Sequence, residues 1–225
     1  MTSMRLYSAP SCPFAQRSRL LLFEKGVEYE QIDIDLKTTP AWFLEISPAG
    51  KVPCLEHDGE VILESAVINE YLDEIYPVPG FLPTNPVARA RCRYAIARLD
   101  QALIPAFYKL LLEQDPQRRE RPRQRLYAAF SELAPICTGP WFMGEQLTLM
   151  DLAVYPFFER LAMLDHYRGI ELPAAAQKLE GWHQRMLDLP SVQTLFRPPE
   201  FYIEAYSHYA DGSADGITAR EMRET

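Results

Sequence analysis

Cys12 is the residue whose type and neighbours first suggest chemistry. It lies in the run Ser11-Cys12-Pro13, after a strand-like segment and before a helical pattern that starts at Phe14. Proline suits the first position of a helix, so Pro13 places Cys12 at a helix N-terminus. The unpaired N–H groups and the positive dipole end at that position favour a thiolate, the nucleophilic form of cysteine. We therefore predict that Cys12 is a catalytic nucleophile.

The other three cysteines, Cys54, Cys92 and Cys137, are predicted to be packed residues. Each lies in a strand-like segment or on an apolar helical stripe, where a free cysteine usually behaves as a small hydrophobic residue. A dithiol oxidoreductase would have a second cysteine three residues after the first, but that position holds Ala15. A lone thiolate needs an external thiol to release its mixed disulfide, so the sequence indicates a monothiol mechanism. Approach of Cys54 to Cys12 in the folded chain is the alternative that stays open.

Two further segments carry residues that suit ligand binding. Pro53 stands near the start of a strand, and a trans peptide bond before it is the default expectation. Glu64 and Ser65 stand between a strand and a helix. Ser65 is predicted to be the helix N-cap, and its hydroxyl and the first helical N–H groups suit a carboxylate. With Glu64 for an ammonium group, the pair suits the α-amino acid end of a ligand, such as a γ-glutamyl group.

The elements that must position these residues follow from hydrophobic periodicity. Residues 1–77 alternate strand-like and helix-like segments, which predicts an α/β domain with a mixed four-stranded sheet. The predicted strands are 5–8, 29–36, 52–56 and 61–63, and the predicted helices are 14–25, 40–46 and 65–76. Prolines at 77, 79, 83 and 86 predict a linker over residues 78–86.

The rest of the chain, residues 87–225, is predicted to form an all-helical domain with a polar, mobile tail from residue 211. Pro105 is expected to kink or stop a long helix. Thr148 and Asp151 have the spacing of a capping box, which predicts a helix that runs to about residue 164. A later helix is predicted over 174–189, and Ser191 is expected to cap a short helix after it.

The composition excludes several function classes. The 225 residues include 23 lysines and arginines against 31 acidic residues, for a formal net charge of −8. A chain this acidic is not expected to bind nucleic acid or a membrane, and its one basic run, 117–125, is interpreted as a solvated loop and helix start. The histidines and cysteines show no metal-ligand spacing, so no metal is predicted. Without a signal peptide or an apolar run near the roughly 18 residues of a membrane span, a cytoplasmic protein with reduced thiols is expected.

Several motifs resemble those of omega-class glutathione S-transferases, the cysteine-type members of that family. They follow the family's order over nearly all of residues 5–77: Ser11-Cys12-Pro13-Phe14-Ala15-Gln16-Arg17, Asp35-Leu36-Lys37, Lys51-Val52-Pro53 and Glu64-Ser65-Ala66. In the second half, Thr148-Leu149-Met150-Asp151 resembles the family. The resemblance implies a thioredoxin-like first domain, a helical second domain, a homodimer, and glutathione as co-substrate.

The resemblance also implies that Cys12 forms a mixed disulfide with glutathione. Six further residues would contact the tripeptide: Phe14 at its border, Lys37 near the glycine carboxylate, Val52 and a cis Pro53 beside the cysteinyl part, and Glu64 and Ser65 at the γ-glutamyl end. Asp151 would have a structural role in folding of the helical domain. A pocket for the second substrate is expected between the domains, with walls from residues 95–112 and from the C-terminal end, including Trp182 and Tyr202. The alternative for these two aromatic residues, which is the commoner case on a helix, is a place in the core.

These observations favour a glutathione-dependent thiol transferase or reductase, acting on a small hydrophobic, disulfide or thioether co-substrate. One alternative is a conjugating transferase, or a lyase of aromatic glutathione thioethers, to which residues 157–167 have a looser resemblance. The other is a non-catalytic protein like the stringent-starvation regulators, which bind RNA polymerase and lack this cysteine. Residues 85–89 resemble the segment that follows the linker in those regulators.

Overall fold

A four-stranded mixed sheet organises the first part of the chain, as predicted. The structure, a computed structural model, describes residues 4–224, and the chain divides into two units between Phe81 and Leu82. The strands are β1 (Met4–Ser8), β2 (Glu30–Asp33), β3 (Cys54–His57) and β4 (Glu60–Leu63). Their order is β2-β1-β3-β4, with β1 parallel to β2 and antiparallel to β3, and β3 antiparallel to β4.

The two central strands, β1 and β3, carry buried residues of the sheet, and β3 and β4 form the predicted hairpin. Leu6 of β1 lies opposite Leu55 of β3, and both side chains are fully buried. Asp58 and Gly59 form the turn between β3 and β4 with φ values of 51° and 87°. Two consecutive positive φ values are typical of the turn that joins tightly paired antiparallel strands. β3 begins at Cys54, two residues later than predicted, so Pro53 lies outside the strand.

Three helices connect the strands of the first unit: α1 (Pro13–Glu24), α2 (Ala41–Ile46) and α3 (Ser65–Ile75). α1 and α3 pack against each other, and the Ser18 hydroxyl donates to Asn69 Oδ1 at 2.8 Å in their buried contact. Gly26 follows α1 with a φ of 61°, a backbone conformation that glycine adopts without strain. The prediction of a helix bounded by Pro13 and Gly26 is confirmed.

The segment after α3 is held in place by a buried ion pair. The Lys25 ammonium lies 2.8 Å from Asp73 and donates to the carbonyls of Tyr76 and Pro79 at 2.5 and 2.8 Å. Asp73 also accepts the Phe81 N–H at 2.8 Å, and the Phe81 ring centre lies 5.1 Å from the ammonium. A buried charge must be paired and hydrogen-bonded, and these contacts meet that need. The segment is therefore fixed up to the point where the two units divide.

Between residues 82 and 224 the structure describes ten α-helices, as the prediction of a helical second half requires. They are α4 (Pro86–Arg98), α5 (Ile104–Leu112), α6 (Glu120–Leu133), α7 (Leu149–Glu159), α8 (Leu161–Arg168), α9 (Leu179–Leu187), α10 (Pro190–Leu195), α11 (Pro199–Ala205), α12 (Ser207–Ala210) and α13 (Ile217–Glu224). A π-helical segment, Leu99–Leu103, separates α4 from α5. It lies directly before the first turn of α5, which contains Pro105, so the predicted interruption is confirmed. In the part of the chain from residue 4 to residue 224, no helix is long and apolar enough to cross a bilayer.

Three helix predictions for this unit differ from the structure. The helix that follows Thr148 ends at Glu159 rather than near residue 164. The reason is Arg160, which is fully buried and whose guanidinium donates to the Pro156 carbonyl at 2.5 Å, the acceptor that its own N–H would use in a continued helix. Ser191 is not a cap but lies inside α10, because Pro190 takes the first helical position. Residues 174–189 hold a short 3₁₀ turn and α9 instead of one helix.

The C-terminal tail, predicted to be mobile, forms α13 up to Glu224. Its Ala219 is fully buried and packs with Leu112 of α5 and with Ala214, while Met222 packs against the same small cluster. The expectation is wrong because a few small apolar residues within a polar segment are enough to bury one face of a short helix.

Asp151 and Thr148 form the predicted capping box at the start of α7. The fully buried Asp151 carboxylate accepts the Thr148 N–H at 2.8 Å and the Thr148 hydroxyl at 2.7 Å. It also accepts the Phe142 N–H and the Trp182 indole N–H, both at 2.8 Å. Burial raises the pKa of Asp151, and these hydrogen bonds act in the opposite direction. One carboxylate thus ties a loop and α9 to the start of α7.

Trp182 and Tyr202 are interior residues, so the expectation that they line a substrate pocket is wrong. Each is 1% exposed. Trp182 lies edge-on between Phe142 and Phe158, with ring centroids 4.9 and 5.0 Å away. The Tyr202 hydroxyl donates to Glu159 Oε1 at 3.0 Å. Both side chains therefore stabilise the core of the second unit.

Candidate active site

Cys12 lies at the N-terminus of α1, as the sequence predicts. It is the N-cap residue, with φ −76° and ψ 120°, and Pro13 is the first residue of the helix. Its N–H donates to the Ala9 carbonyl at 3.0 Å, and its carbonyl accepts the Gln16 N–H at 3.1 Å. These backbone contacts hold the half-buried thiol at the positive end of the helix dipole.

The thiol faces the second segment that the sequence singles out. Cys12 Sγ donates to the Val52 carbonyl at 3.5 Å. The Val52–Pro53 peptide bond is cis, so the default trans expectation is wrong and the cis bond implied by the family resemblance is present. A thiol can donate to a carbonyl and a thiolate cannot, so this contact belongs to the protonated state of Cys12. Cys12 and Val52, which are 40 residues apart in the sequence, are therefore in contact in the fold.

The other cysteines are less suited to nucleophilic chemistry. Cys54 and Cys92 are fully buried, as predicted, whereas Cys137 is half-buried and lies beyond the end of α6 rather than on its stripe. Burial raises the pKa of Cys54 to about 11, with a smaller contribution from the Glu56 carboxylate. Burial likewise raises the pKa of Cys137. Both of these thiols therefore stay protonated near neutral pH.

Tyr7, at the end of β1, has a hydroxyl that is already engaged. It is 3% exposed and donates to Glu56 Oε2 at 2.8 Å. Burial raises the pKa of Tyr7 to about 12, and the hydrogen bond to Glu56 adds to the shift. A neutral phenol committed to a carboxylate is poorly placed to stabilise a ligand thiolate. Cys12 is therefore the better candidate for sulfur chemistry.

Glu64 and Ser65 mark the start of α3, but their positions differ from prediction. Ser65 is the first helical residue, and the N-cap is Glu64. Glu64 has a φ of 69°, which costs a residue other than glycine on the order of 1–3 kcal/mol. Its side chain is exposed, whereas Ser65 is 5% exposed. Because such backbone strain concentrates at ligand sites, this turn is a candidate for binding.

Arg17, for which the sequence predicts no role, links two of the predicted residues. It lies one turn after Phe14 on α1 and is 1% exposed. Its guanidinium carbon is 5.1 Å from the centre of the half-buried Phe14 ring, and Nη1 donates to Ser65 Oγ at 3.4 Å. Ser65 does not cap the helix because it is itself the first helical residue, and the Arg17 donation leaves its hydroxyl hydrogen for another acceptor. The spacing of three residues from Phe14 is the signal that could have indicated the contact.

Lys37 lies in the turn after β2, with its side chain exposed. Its N–H donates to Asp35 Oδ1 at 2.8 Å, and the Thr38 hydroxyl donates to Asp35 Oδ2 at 2.7 Å. These hydrogen bonds, first that of Thr38 and then that of Lys37, lower the pKa of Asp35. The backbone of the turn is thereby fixed while the Lys37 ammonium extends into solvent.

The structure brings the predicted site residues together in two groups. Cys12 meets Val52 directly, and Phe14 and Ser65 share Arg17. Over residues 4–224, no three His, Cys, Asp or Glu side chains are grouped so that they could hold a metal ion. The first unit thus holds a half-buried thiol at the N-terminus of α1 and a buried guanidinium against the first residue of α3, and groups of these types suit a ligand containing both sulfur and carboxylate groups.

Two family models match the chain, one in each unit. Residues 6–80 match the model described as "Glutathione S-transferase, N-terminal domain", and residues 116–185 match "Glutathione S-transferase, C-terminal domain". Glutathione S-transferase omega-1 of Sus scrofa is 34% identical over 200 residues, which cover 87% of this chain and 81% of the relative.

Two further proteins are similar over most of the chain. A "Stringent starvation protein A homolog" of Coxiella burnetii is 34% identical over 176 residues, or 78% of this chain and 82% of the relative. The crystal structure of glutathione transferase Omega 3C from Trametes versicolor superposes with a TM-score of 0.85 at 29% identity, covering 95% of this chain and 93% of that one.

Proposed function

Because the chain belongs to the glutathione S-transferase family and is similar to its omega class, we propose that it is a thiol transferase whose Cys12 forms a mixed disulfide with glutathione. The family models and the omega-class relatives support a glutathione-dependent enzyme, and the cysteine chemistry is the proposal. The observation that carries it is the position of Cys12, half-buried at the N-terminus of α1, where the helix dipole favours a thiolate.

The proposed reaction consists of two thiol–disulfide exchanges. The Cys12 thiolate attacks the glutathione sulfur of a glutathionyl disulfide, the S–S bond breaks, and the other thiol leaves as a thiolate that takes a proton from solvent. A glutathione thiolate then attacks the Cys12–glutathione disulfide, which forms oxidised glutathione and returns Cys12 as a thiolate. The net reaction converts one mixed disulfide and one glutathione into one free thiol and one oxidised glutathione.

We assign the remaining predicted residues to the parts of the glutathione tripeptide. The exposed Glu64 and the Ser65 hydroxyl, at the start of α3, would receive the ammonium and carboxylate of the γ-glutamyl end. Backbone groups at Val52 and Pro53 would pair with the cysteinyl part, Phe14 would border it, and the Lys37 ammonium would approach the glycine carboxylate. Charge-assisted hydrogen bonds of this kind favour a ligand whose carboxylates lie at both ends.

Arg17 is proposed as a positioning residue for Ser65. Replacing Arg17 by methionine, which keeps a long unbranched side chain, is expected to raise the KM for glutathione about five- to twentyfold while kcat changes little. The reason is that the Ser65 oxygen loses its donor at 3.4 Å, so the hydroxyl is no longer oriented toward the ligand. Steady-state kinetics with glutathione as the varied substrate measures the effect, and Arg17→Lys is expected to restore part of the affinity.

A double-mutant cycle separates positioning from a purely structural role of Arg17. In a Ser65→Ala background, Arg17→Met is expected to have almost no further effect on the KM, since the group through which it acts is gone. If the two substitutions raise the KM additively, or if Arg17→Met lowers only the melting temperature, the assignment is wrong.

The choice between reduction and conjugation can be tested with two substrates. With glutathione present, turnover of hydroxyethyl disulfide is expected to exceed conjugation of chloro-dinitrobenzene by at least about tenfold, because a cysteine nucleophile forms a disulfide that a second glutathione resolves. The comparison uses kcat/KM for both substrates at one pH. A larger value for chloro-dinitrobenzene would favour a conjugating transferase, and turnover of aromatic glutathione thioethers alone would favour a lyase.

The similarity to the stringent starvation protein A homolog of Coxiella burnetii supports a second candidate, the non-catalytic binding protein that the resemblance of residues 85–89 also suggests. In that case Cys12 would be an ordinary packing residue, and oxidised glutathione would leave it unmodified. A half-buried thiol at a helix N-terminus supports the transferase instead, since this position promotes the reactive thiolate.

Assembly with a second copy as a homodimer is also proposed, with a small hydrophobic, disulfide or thioether molecule as co-substrate. β4 is an edge strand of the described sheet, and its Val61 and Leu63 are 43% and 38% exposed. Val67, on α3, is 55% exposed. Burial of such apolar side chains favours association, and light scattering that gave the mass of one chain would contradict it.

A further inference from the structure

A groove of about 860 Å³ lies on the second unit, in a region with no part in the proposed chemistry. Its walls come from the end of α5, the segment that leads into α6, and α13. Five cationic side chains line it: Lys109, Arg118, Arg121, Arg125 and Arg223. The basic run that the sequence suggests to be a solvated loop and helix start therefore forms one wall of a concave surface.

Apart from Arg223, whose guanidinium donates to the Gly212 carbonyl, three of these cations have no acidic partner among the residues that the structure describes. Arg118 lies 3.2 Å from Asp115 and 3.7 Å from Glu113, which is the carboxylate in the groove wall. For Lys109, Arg121 and Arg125, in contrast, residues 4–224 supply no carboxylate within 4.0 Å.

The arrangement of these charges is unfavourable unless an anion is bound. Arg121 and Arg125 are one turn apart on α6, where like charges repel. Arg121 also lies in the first turn of that helix, where the dipole already contributes positive potential. A cluster of this kind is unexpected in a chain with a net charge of −8, so an anion in the groove would relieve a local repulsion.

The groove is built from packed elements. Its α13 wall is anchored where Ala219 packs against Leu112, and the Arg223 guanidinium donates to the Gly212 carbonyl at 2.8 Å. The Gln114 amide donates to the carbonyls of Leu112 and Ala210 at 2.7 and 3.1 Å, which joins the segment after α5 to the end of α12. The elements that carry the cations are therefore packed around an existing space that a ligand need not open.

We propose that this groove binds a small multivalent anion, a molecule with clustered phosphate or carboxylate groups. Guanidinium groups suit both, since their planar donors match two oxygens of a phosphate or carboxylate at once. The volume lies within the range of small-molecule sites, and Leu112, Pro122 and Met222 provide apolar contacts for the rest of the ligand. The site is separate from Cys12 and does not depend on glutathione chemistry.

The test is isothermal titration of the full chain, at low salt, with tripolyphosphate and with citrate. At least one is expected to bind with one site per chain, and the tighter of the two identifies phosphate or carboxylate as the preferred group. The double variant Arg121→Gln/Arg125→Gln is expected to weaken binding at least about tenfold, because two bidentate partners are lost. Raising the salt concentration is expected to weaken binding as well.

Arg91→Gln is the matched control, an exposed arginine on α4 outside the groove. It is expected to leave the affinity unchanged within about twofold. The proposal is overturned if neither anion binds at millimolar concentration, or if Arg91→Gln weakens binding as much as the double variant. Since Arg121 and Arg125 are exposed, the variants are expected to melt like the unmodified protein, which a thermal scan verifies.

Discussion

Replacing Cys12 by serine is expected to abolish the glutathionyl adduct and to lower turnover of a disulfide substrate by at least about a thousandfold. The serine hydroxyl stays protonated near neutral pH, so it does not attack a disulfide sulfur. Stability is expected to be kept or slightly raised, because serine is a favoured N-cap and Cys12 makes no side-chain cap of its own. Loss of activity without loss of stability is therefore the signature of a nucleophile.

Two measurements check this prediction: the intact mass after incubation with oxidised glutathione, and kcat/KM with hydroxyethyl disulfide. Cys137→Ser is the matched control, since Cys137 is also half-buried but its pKa is raised by burial. This control is expected to gain the adduct and keep its turnover. If the unmodified chain gains no adduct, or if Cys12→Ser gains the same one, Cys12 is not the nucleophile.

Replacing Asp151 by alanine is expected to lower the free energy of unfolding by about 3–6 kcal/mol, a large part of the roughly 5–15 kcal/mol of a typical protein. The substitution leaves the N–H groups of Phe142 and Thr148 and the indole N–H of Trp182 buried without their acceptor. Each buried donor left without an acceptor lowers the free energy of unfolding by about 1–3 kcal/mol. Guanidinium unfolding followed by tryptophan fluorescence measures the loss.

Two variants support the interpretation of that loss. Asp151→Asn keeps one acceptor oxygen and is expected to lose about half as much stability, which keeps the prediction measurable if the alanine variant does not fold. Asp165→Ala, at an exposed position of α8, is expected to change stability by no more than about 0.5 kcal/mol. Equal unfolding midpoints for Asp151→Ala and the unmodified chain would show that the capping contacts contribute little.

The features that depend on neighbouring residues could be predicted from the sequence alone. The bounds of α1 predicted from Pro13 and Gly26 are correct, because proline suits a helix start and glycine accepts the positive φ after a helix end. The capping box of Thr148 and Asp151 follows from their spacing of three residues. The position of Cys12 at a helix N-terminus, from which its proposed role is argued, was predictable for the same reason.

Some predictions from local sequence patterns were wrong, because a backbone conformation or a buried side chain changed where a helix begins or ends. Ser65 does not cap α3, because Glu64 adopts a positive φ and the helix begins at Ser65 itself. The helix after Thr148 ends early, because the buried Arg160 takes a carbonyl that the helix would need. Helix propensity and residue spacing predict the backbone conformation, but they do not show which buried polar group will hydrogen-bond to a given carbonyl oxygen.

The contacts between residues distant in sequence follow from the way the elements pack in three dimensions. Cys12 faces Val52, 40 residues away, because β3 pairs with β1 rather than with β2. The run at 117–125 becomes the wall of a groove because α13 packs against α5. Hydrophobic periodicity records which face of an element is buried, but not which element buries it, and these contacts depend on that choice.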